Sequence, residues 1–181
     1  DRRTGAARLA RLSADSPLPL YNHRVRLTLR QWHPGDEPFL WEMLYQSIHV
    51  ADGEPPPPRS ILNDPSIAHY LNDFGGQDGD DAVIAYDSQT PVGAAFCRRF
   101  TSHDPSYGFV SADVPEFGMA VVAHQRGKGV GRALLMHLLD RHPIMSLSVD
   151  NDNVSARHLY QSLGFVDLRV DGTSVTMIKR Q

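Results

Sequence analysis

The chain has 181 residues, 41% of them hydrophobic and 22% charged, with a formal net charge of −3. These values describe one globular domain able to bury a full core, and they exclude a broadly basic nucleic-acid binder. Cys97 is the single cysteine, so no intrachain disulfide can form, no apolar run reaches the ~20 residues of a membrane span, and no signal-peptide core opens the chain. A cytoplasmic location is therefore expected, with neither membrane nor nucleic acid as a partner. The chain opens on Asp1 rather than Met, so part of a terminus is expected to be missing.

Residues 1–22 form an N-terminal extension, basic and rich in small residues, broken by Pro17 and Pro19. The alternation of Val25, Leu27 and Leu29 with Arg26, Thr28 and Arg30 predicts a half-buried strand to Trp32. Pro34-Gly35 turns the chain, Asp36 can cap the next helix, and Phe39, Leu40, Met43, Leu44 and Ile48 recur at helical spacing. Pro55 to Pro58 enforce an extended loop, either a plain spacer or a stiff wall of an acceptor site with Asp52 and Glu54 to attract an amine. Asp64-Pro65 opens a second predicted helix reaching Phe74. The acidic turn after it lacks the spacing of a calcium loop, so no metal is expected.

Strands are predicted over Ala82–Tyr86 and Val92–Phe100, a hairpin pair, with Cys97 a buried thiol. An irregular stretch with Tyr107-Gly108-Phe109 leads to the strand Glu116–Ala123 and the helix Lys128–Arg141. Met145, Leu147 and Val149 alternate with serines in another strand. Asp150 to Asn153 are turn and cap residues, Val154–Leu163 is a helix, and Gly164 ends it. Two closing strands, Phe165–Val170 and Thr173–Ile178, flank the hairpin dipeptide Asp171-Gly172.

The strand, glycine turn and helix around Arg126-Gly127-Lys128-Gly129-Val130-Gly131 can hold a phosphate. Unpaired amides at a helix start and the helix dipole favour an anion, and glycine lets backbone approach it. A P-loop fails, because Lys128 is followed by Gly129. A dinucleotide fingerprint fails, because Arg132 stands where its third glycine belongs. The pattern that fits is R-x-x-G-x-G, with Arg126, Gly129 and Gly131. Downstream lies a second pattern, Asn153, Tyr160, Leu163, Gly164 and Phe165.

Together these two motifs resemble the acyl-CoA site of the GNAT superfamily of N-acetyltransferases, weakly from residue 25 and strongly from Glu116. The resemblance implies an acetyltransferase domain over 23–181 and an α/β (α+β) fold. Its central sheet, mixed but mostly antiparallel, would hold about seven strands with about four helices around it. Strands four and five, here Glu116–Ala123 and Met145–Val149, would splay apart. Acetyl-CoA is the implied co-substrate, and a small-molecule or peptide amine the implied acceptor, with a homodimer common in the family.

The same resemblance places pantetheine along the backbone of Val121, Val122 and Ala123, and pyrophosphate on the amides of Arg126, Gly127, Lys128, Gly129, Val130, Gly131 and Arg132. Asn153 would contact the pantetheine arm. Tyr160 would face the sulfur as general acid, or else be a packed helix tyrosine. The Val121 amide would donate to the oxyanion. Glu116 is the first candidate for the base that deprotonates the amine, or else a solvated strand-end charge, with His103, Asp113 and His124 behind it. Ser148 stands where relatives that acetylate protein N-termini carry a glutamate. The rival readings are a non-catalytic acyl-CoA binder on the same fold and an interaction protein recruited through the basic tail. The loops 49–64 and 101–113 are expected to choose the acceptor.

Overall fold

The computed structural model describes residues 27–180, so the N-terminal extension and the start expected at Val25 lie outside the described residues. The strands are β1 (Leu27–Gln31), β2 (Asp81–Asp87), β3 (Thr90–Arg98), β4 (Glu116–Val121), β5 (Met145–Asp150), β6 (Val166–Asp171) and β7 (Ser174–Lys179). The helices are α1 (Glu37–Ser47), α2 (Pro65–Ala68), α3 (Val130–Leu139) and α4 (Val154–Ser162). All seven strands join one sheet in the order β1-β2-β3-β4-β5-β7-β6. Every neighbouring pair is antiparallel except β4 and β5.

The period of two along each strand divides the core in two. Phe117, Met145, Leu147 and Val149 pack with Leu134 and Leu138 of α3 and, partly buried, Tyr160 of α4. On the opposite face Ala82, Ile84, Ala94 and Ala120 pack against Leu40, Met43 and Leu44 of α1. Cys97 is fully buried, and burial pushes its thiol far above the ordinary range.

The helix expected over Asp64–Phe74 is only Pro65–Ala68, capped by the Asp64 carboxylate on the Ser66 amide at 2.9 Å. Beyond it most bonds tighten to i→i+3, from Tyr70 to Ile67 and from Phe74 to Leu71, with one i→i+4 bond left from Asn72 to Ala68. Arg98 explains the break. Its guanidinium takes the carbonyls of His69 and Asn72 at 2.8 and 2.7 Å, and it pairs with Asp80 in a nearly water-free setting. Asp36 stands at the N-cap of α1 as expected, but its side chain makes no bond into that helix. It binds Arg30 through both oxygens at 2.9 Å and the His33 amide at 2.8 Å. The helix expected from Lys128 begins at Val130, because Gly127 and Gly129 hold φ of +72° and +85°.

What matters for function is the seam between β4 and β5. They share one register pair, Glu116 with Ser146, and the Ser146 amide donates to the Pro115 carbonyl at 3.0 Å. Past that point β4 continues on β3 and β5 on β7, and the two strands part. The expected splay is therefore present. Val122 donates its amide to Val92 on β3 at 2.9 Å. Because backbone groups alternate sides along a strand, Met119 and Val121 turn theirs toward the opening. The strand ends at Val121 rather than Ala123, whose carbonyl instead accepts the Arg126 amide in a short 3₁₀ turn.

Candidate active site

Two cavities flank this opening. The larger, about 970 Å³, is lined by Val121 and by the turn residues Arg126, Gly127, Gly129, Gly131 and Arg132. The smaller, about 370 Å³, contains Glu116, Tyr70, Tyr107 and Ser148. Both are lined by Met119, Asn153 and Tyr160, together with Ser47, Ile48 and His49 at the end of α1. The two cavities thus meet between β4, the α1 end and α4.

On the larger side, the local sequence builds an anion cradle. Gly129 is the N-cap of α3 and has no side chain to cap it. The first amides of α3 therefore remain free to face a ligand. A Cβ on Gly131 would come within 2.8 Å of Met119 Cε, so glycine there lets the helix start press on β4. Arg126 and Arg132 supply positive charge at the rim. Arg126 also donates from Nε to the Val121 carbonyl at 2.8 Å, and Arg132 reaches Ser162 at 2.9 Å. Val122, Ala123, Lys128 and Val130, also expected here, line neither cavity. Lys128 is exposed, and the Val130 side chain is in the core. The proline run proves to face this side: Pro56 and Pro57, with Asp52, line the larger cavity rather than the smaller one.

Asn153 caps α4, accepting the Ala156 amide on its side-chain oxygen at 3.2 Å. Its cap role was readable as a turn signal, and its place at the junction follows from the start of α4 there. Tyr160 lies two turns further along and packs edge-on against Phe117 and Phe165, with ring centroids at 5.5 and 6.1 Å. Burial alone raises its hydroxyl to about 12. Tyr160 thus packs against the core and also lines both cavities.

Glu116 is buried rather than solvated, 3% exposed. Its carboxylate accepts the Tyr70 hydroxyl at 2.8 Å, the Gly108 amide at 2.9 Å and the Ser106 hydroxyl. Burial raises its pKa to about 6, against the lowering effect of these three donors. His103, Asp113 and His124 are exposed and line neither cavity. Tyr70, Ser106 and Gly108 were missed in the sequence, where no spacing links them to Glu116. The Tyr107-Gly108 dipeptide was the available signal: a Cβ on Gly108 would stand 2.5 Å from the Leu147 carbonyl carbon, so only glycine lets this loop lie on β5. Among the described residues no group of three or more His, Cys, Asp or Glu could hold a metal ion, and no helix is long and apolar enough to cross a membrane.

Known proteins share this fold. Residues 28–165 match the model of the acetyltransferase (GNAT) family. Streptothricin acetyltransferase of Streptomyces lavendulae is 28% identical over 137 residues, 62% of this chain and 64% of that protein, so the match spans under two thirds of the relative. The PaiA N-acetyltransferase of Thermoplasma acidophilum, solved with coenzyme A, superposes with a TM-score of 0.63 at 17% identity, covering 86% of this chain and 99% of that one. YncA of Salmonella typhimurium, a putative acetyltransferase solved with acetyl-CoA, gives 0.58 at 20% identity, covering 86% and 93%. The two solved structures are similar in fold, and the family match spans most of the sequence. The chain belongs to the GNAT acetyltransferase family.

Proposed function

We propose that the chain is an acetyl-CoA-dependent N-acetyltransferase that moves an acetyl group from the thioester to a primary amine by direct attack in a ternary complex. The observation that carries this reading is the junction of the two cavities. A cradle for phosphate opens on one side, a buried carboxylate on the other, and Tyr160 and Met119 line both. The pyrophosphate would rest on the first amides of α3 with Arg126 and Arg132 beside it, and pantetheine would run along the Val121 edge toward Tyr160.

The chemistry follows from these positions. The amine attacks only when neutral, so its proton must leave. Glu116, with a pKa of about 6, is ionised at neutral pH and basic enough to take that proton directly or through water. A new N–C bond forms as the C–S bond breaks. The oxyanion needs a donor that points into the opening. The Met119 amide suits this better than that of Val121, because Met119 lines both cavities and Val121 only the larger. The departing thiolate receives a hydrogen bond from Tyr160. Direct attack is also supported by the position of the one cysteine, which is buried in β3 and lines neither cavity.

Glu116→Gln is the test of the base. The wild-type kcat/KM should rise with pH through about 6 as the carboxyl ionises and then level off. The variant should lose that limb and fall about 10²-fold or more at neutral pH. A variant that kept the limb at the same pH would place the base elsewhere. The folded state holds this proton more tightly than the unfolded chain does, so the Glu116 contribution to stability falls as pH rises from about 4.5 through 6. Folding of wild type and variant should therefore be compared above pH 6.

A further inference from the structure

The smaller cavity has a second carboxylate, Asp150, in addition to Glu116. It stands at the end of β5 and lines this cavity but not the larger one. Its sheet face follows from the strand period. Phe117, Met145, Leu147 and Val149 point into the α3 core, so Glu116, Ser146, Ser148 and Asp150 share the α1 face. Glu116 is registered with Ser146, and Asp150 lies four residues further along β5, roughly 13 Å at 3.3 Å per residue. Between them the same face of β5 carries only the short side chains of Ser146 and Ser148, and Ser148 lines the cavity. The opposite wall is apolar, with Leu44, Ile48, Ile61 and Ile67.

Apart from one histidine, the ionisable acids and bases lining this cavity are the carboxylates Glu116 and Asp150 and two tyrosines, with a third tyrosine at the junction. No lysine or arginine lines it, and its one histidine, His49, lies 3.0 Å from Asp152. The Asp150 carboxylate accepts a single bond, from the Ser174 hydroxyl at 2.8 Å. Among the described residues no cation pairs with it. A carboxylate that lines a cavity with no cation beside it is open to a charged hydrogen bond from a ligand's ammonium.

We infer that Asp150 is a specificity-determining residue that holds a second positive charge on the acceptor, so the preferred substrate is a diamine-like molecule: one amine reaches Tyr160 and Glu116, and a second ammonium, several methylenes away, rests on Asp150. This rests on the acetyl-transfer reading. The apolar wall would take the methylene spacer, and the carboxylates its two ends.

Calorimetric titration of the full chain with coenzyme A present, using 1,6-diaminohexane and hexylamine, tests it. The two probes share a carbon chain and differ in the second charge. Wild type should bind the diamine at least about tenfold more tightly, the scale of one charged hydrogen bond. Asp150→Asn keeps an oxygen for Ser174 and removes the charge, and should bring that ratio close to one. Equal affinities in wild type, or a preference that survives in Asp150→Asn, would overturn the assignment. A diamine preference that depends on Asp150 without any acetyl transfer would support the assignment and count against the catalytic reading instead.

Discussion

Tyr160→Phe is expected to lower kcat by about 10²–10³-fold, the effect of removing one hydrogen-bond donor aimed at charge that develops in the transition state. The ring keeps its contacts with Phe117 and Phe165, and the hydroxyl has no bonded partner among the described residues. Stability should thus change little. With its pKa pushed to about 12, the hydroxyl stays protonated across the neutral range and is a weaker acid than a thiol. It therefore acts as a donor to the thiolate more than as a source of a fully transferred proton. The interaction strengthens only as negative charge grows on sulfur, so it acts on kcat and leaves the KM for acetyl-CoA nearly unchanged. Steady-state kinetics on the purified variant checks this. A kcat within about twofold of wild type, with chemistry rate-limiting, would make Tyr160 a core residue only.

Gly129→Val should weaken acetyl-CoA binding by about 100-fold or more while the domain still folds. Gly129 has φ of +85°, and a β-branched residue is strained there at a cost of about 1–3 kcal/mol. No heavy atom lies within 4 Å of the place its Cβ would take, so the damage is to the backbone rather than to packing. The turn would rearrange, and the first amides of α3 would lose their aim at the phosphates. Calorimetry with acetyl-CoA reads the affinity, and thermal unfolding confirms the fold. Wild-type affinity in this variant would remove the phosphate cradle from the account.

Much of this site was legible because its parts are local. The glycine turn, the cap Asn153 and the C-terminal Gly164, with φ of +90°, each declare a backbone conformation within a few residues. The alternation of Met145, Leu147 and Val149 with serines placed the core face of β5 correctly. The hidden part depends on contacts across the chain. For Glu116 the sequence leaves open a base or a strand-end charge, and its burial appears only when Tyr70 and Gly108, 46 and 8 residues away, close over it. Arg98 shortens α2 from 26 and 29 residues away, which no helical pattern in 64–74 reveals. The proline run declares stiffness but not which cavity it walls. Met119 reads as a core methionine, and its role follows only from the parting of β4 and β5.

The central claim is that the two cavities meet at one point of transfer beside Tyr160. Calorimetric titration with a bisubstrate conjugate, coenzyme A joined through its sulfur and an acetyl bridge to the nitrogen of hexylamine, tests this most directly. Such a ligand fills both cavities without the entropy of bringing two molecules together. The account predicts that it binds at least about 100-fold more tightly than coenzyme A alone. An affinity equal to that of coenzyme A would mean that the amine never reaches the smaller cavity from the sulfur, and would contradict it.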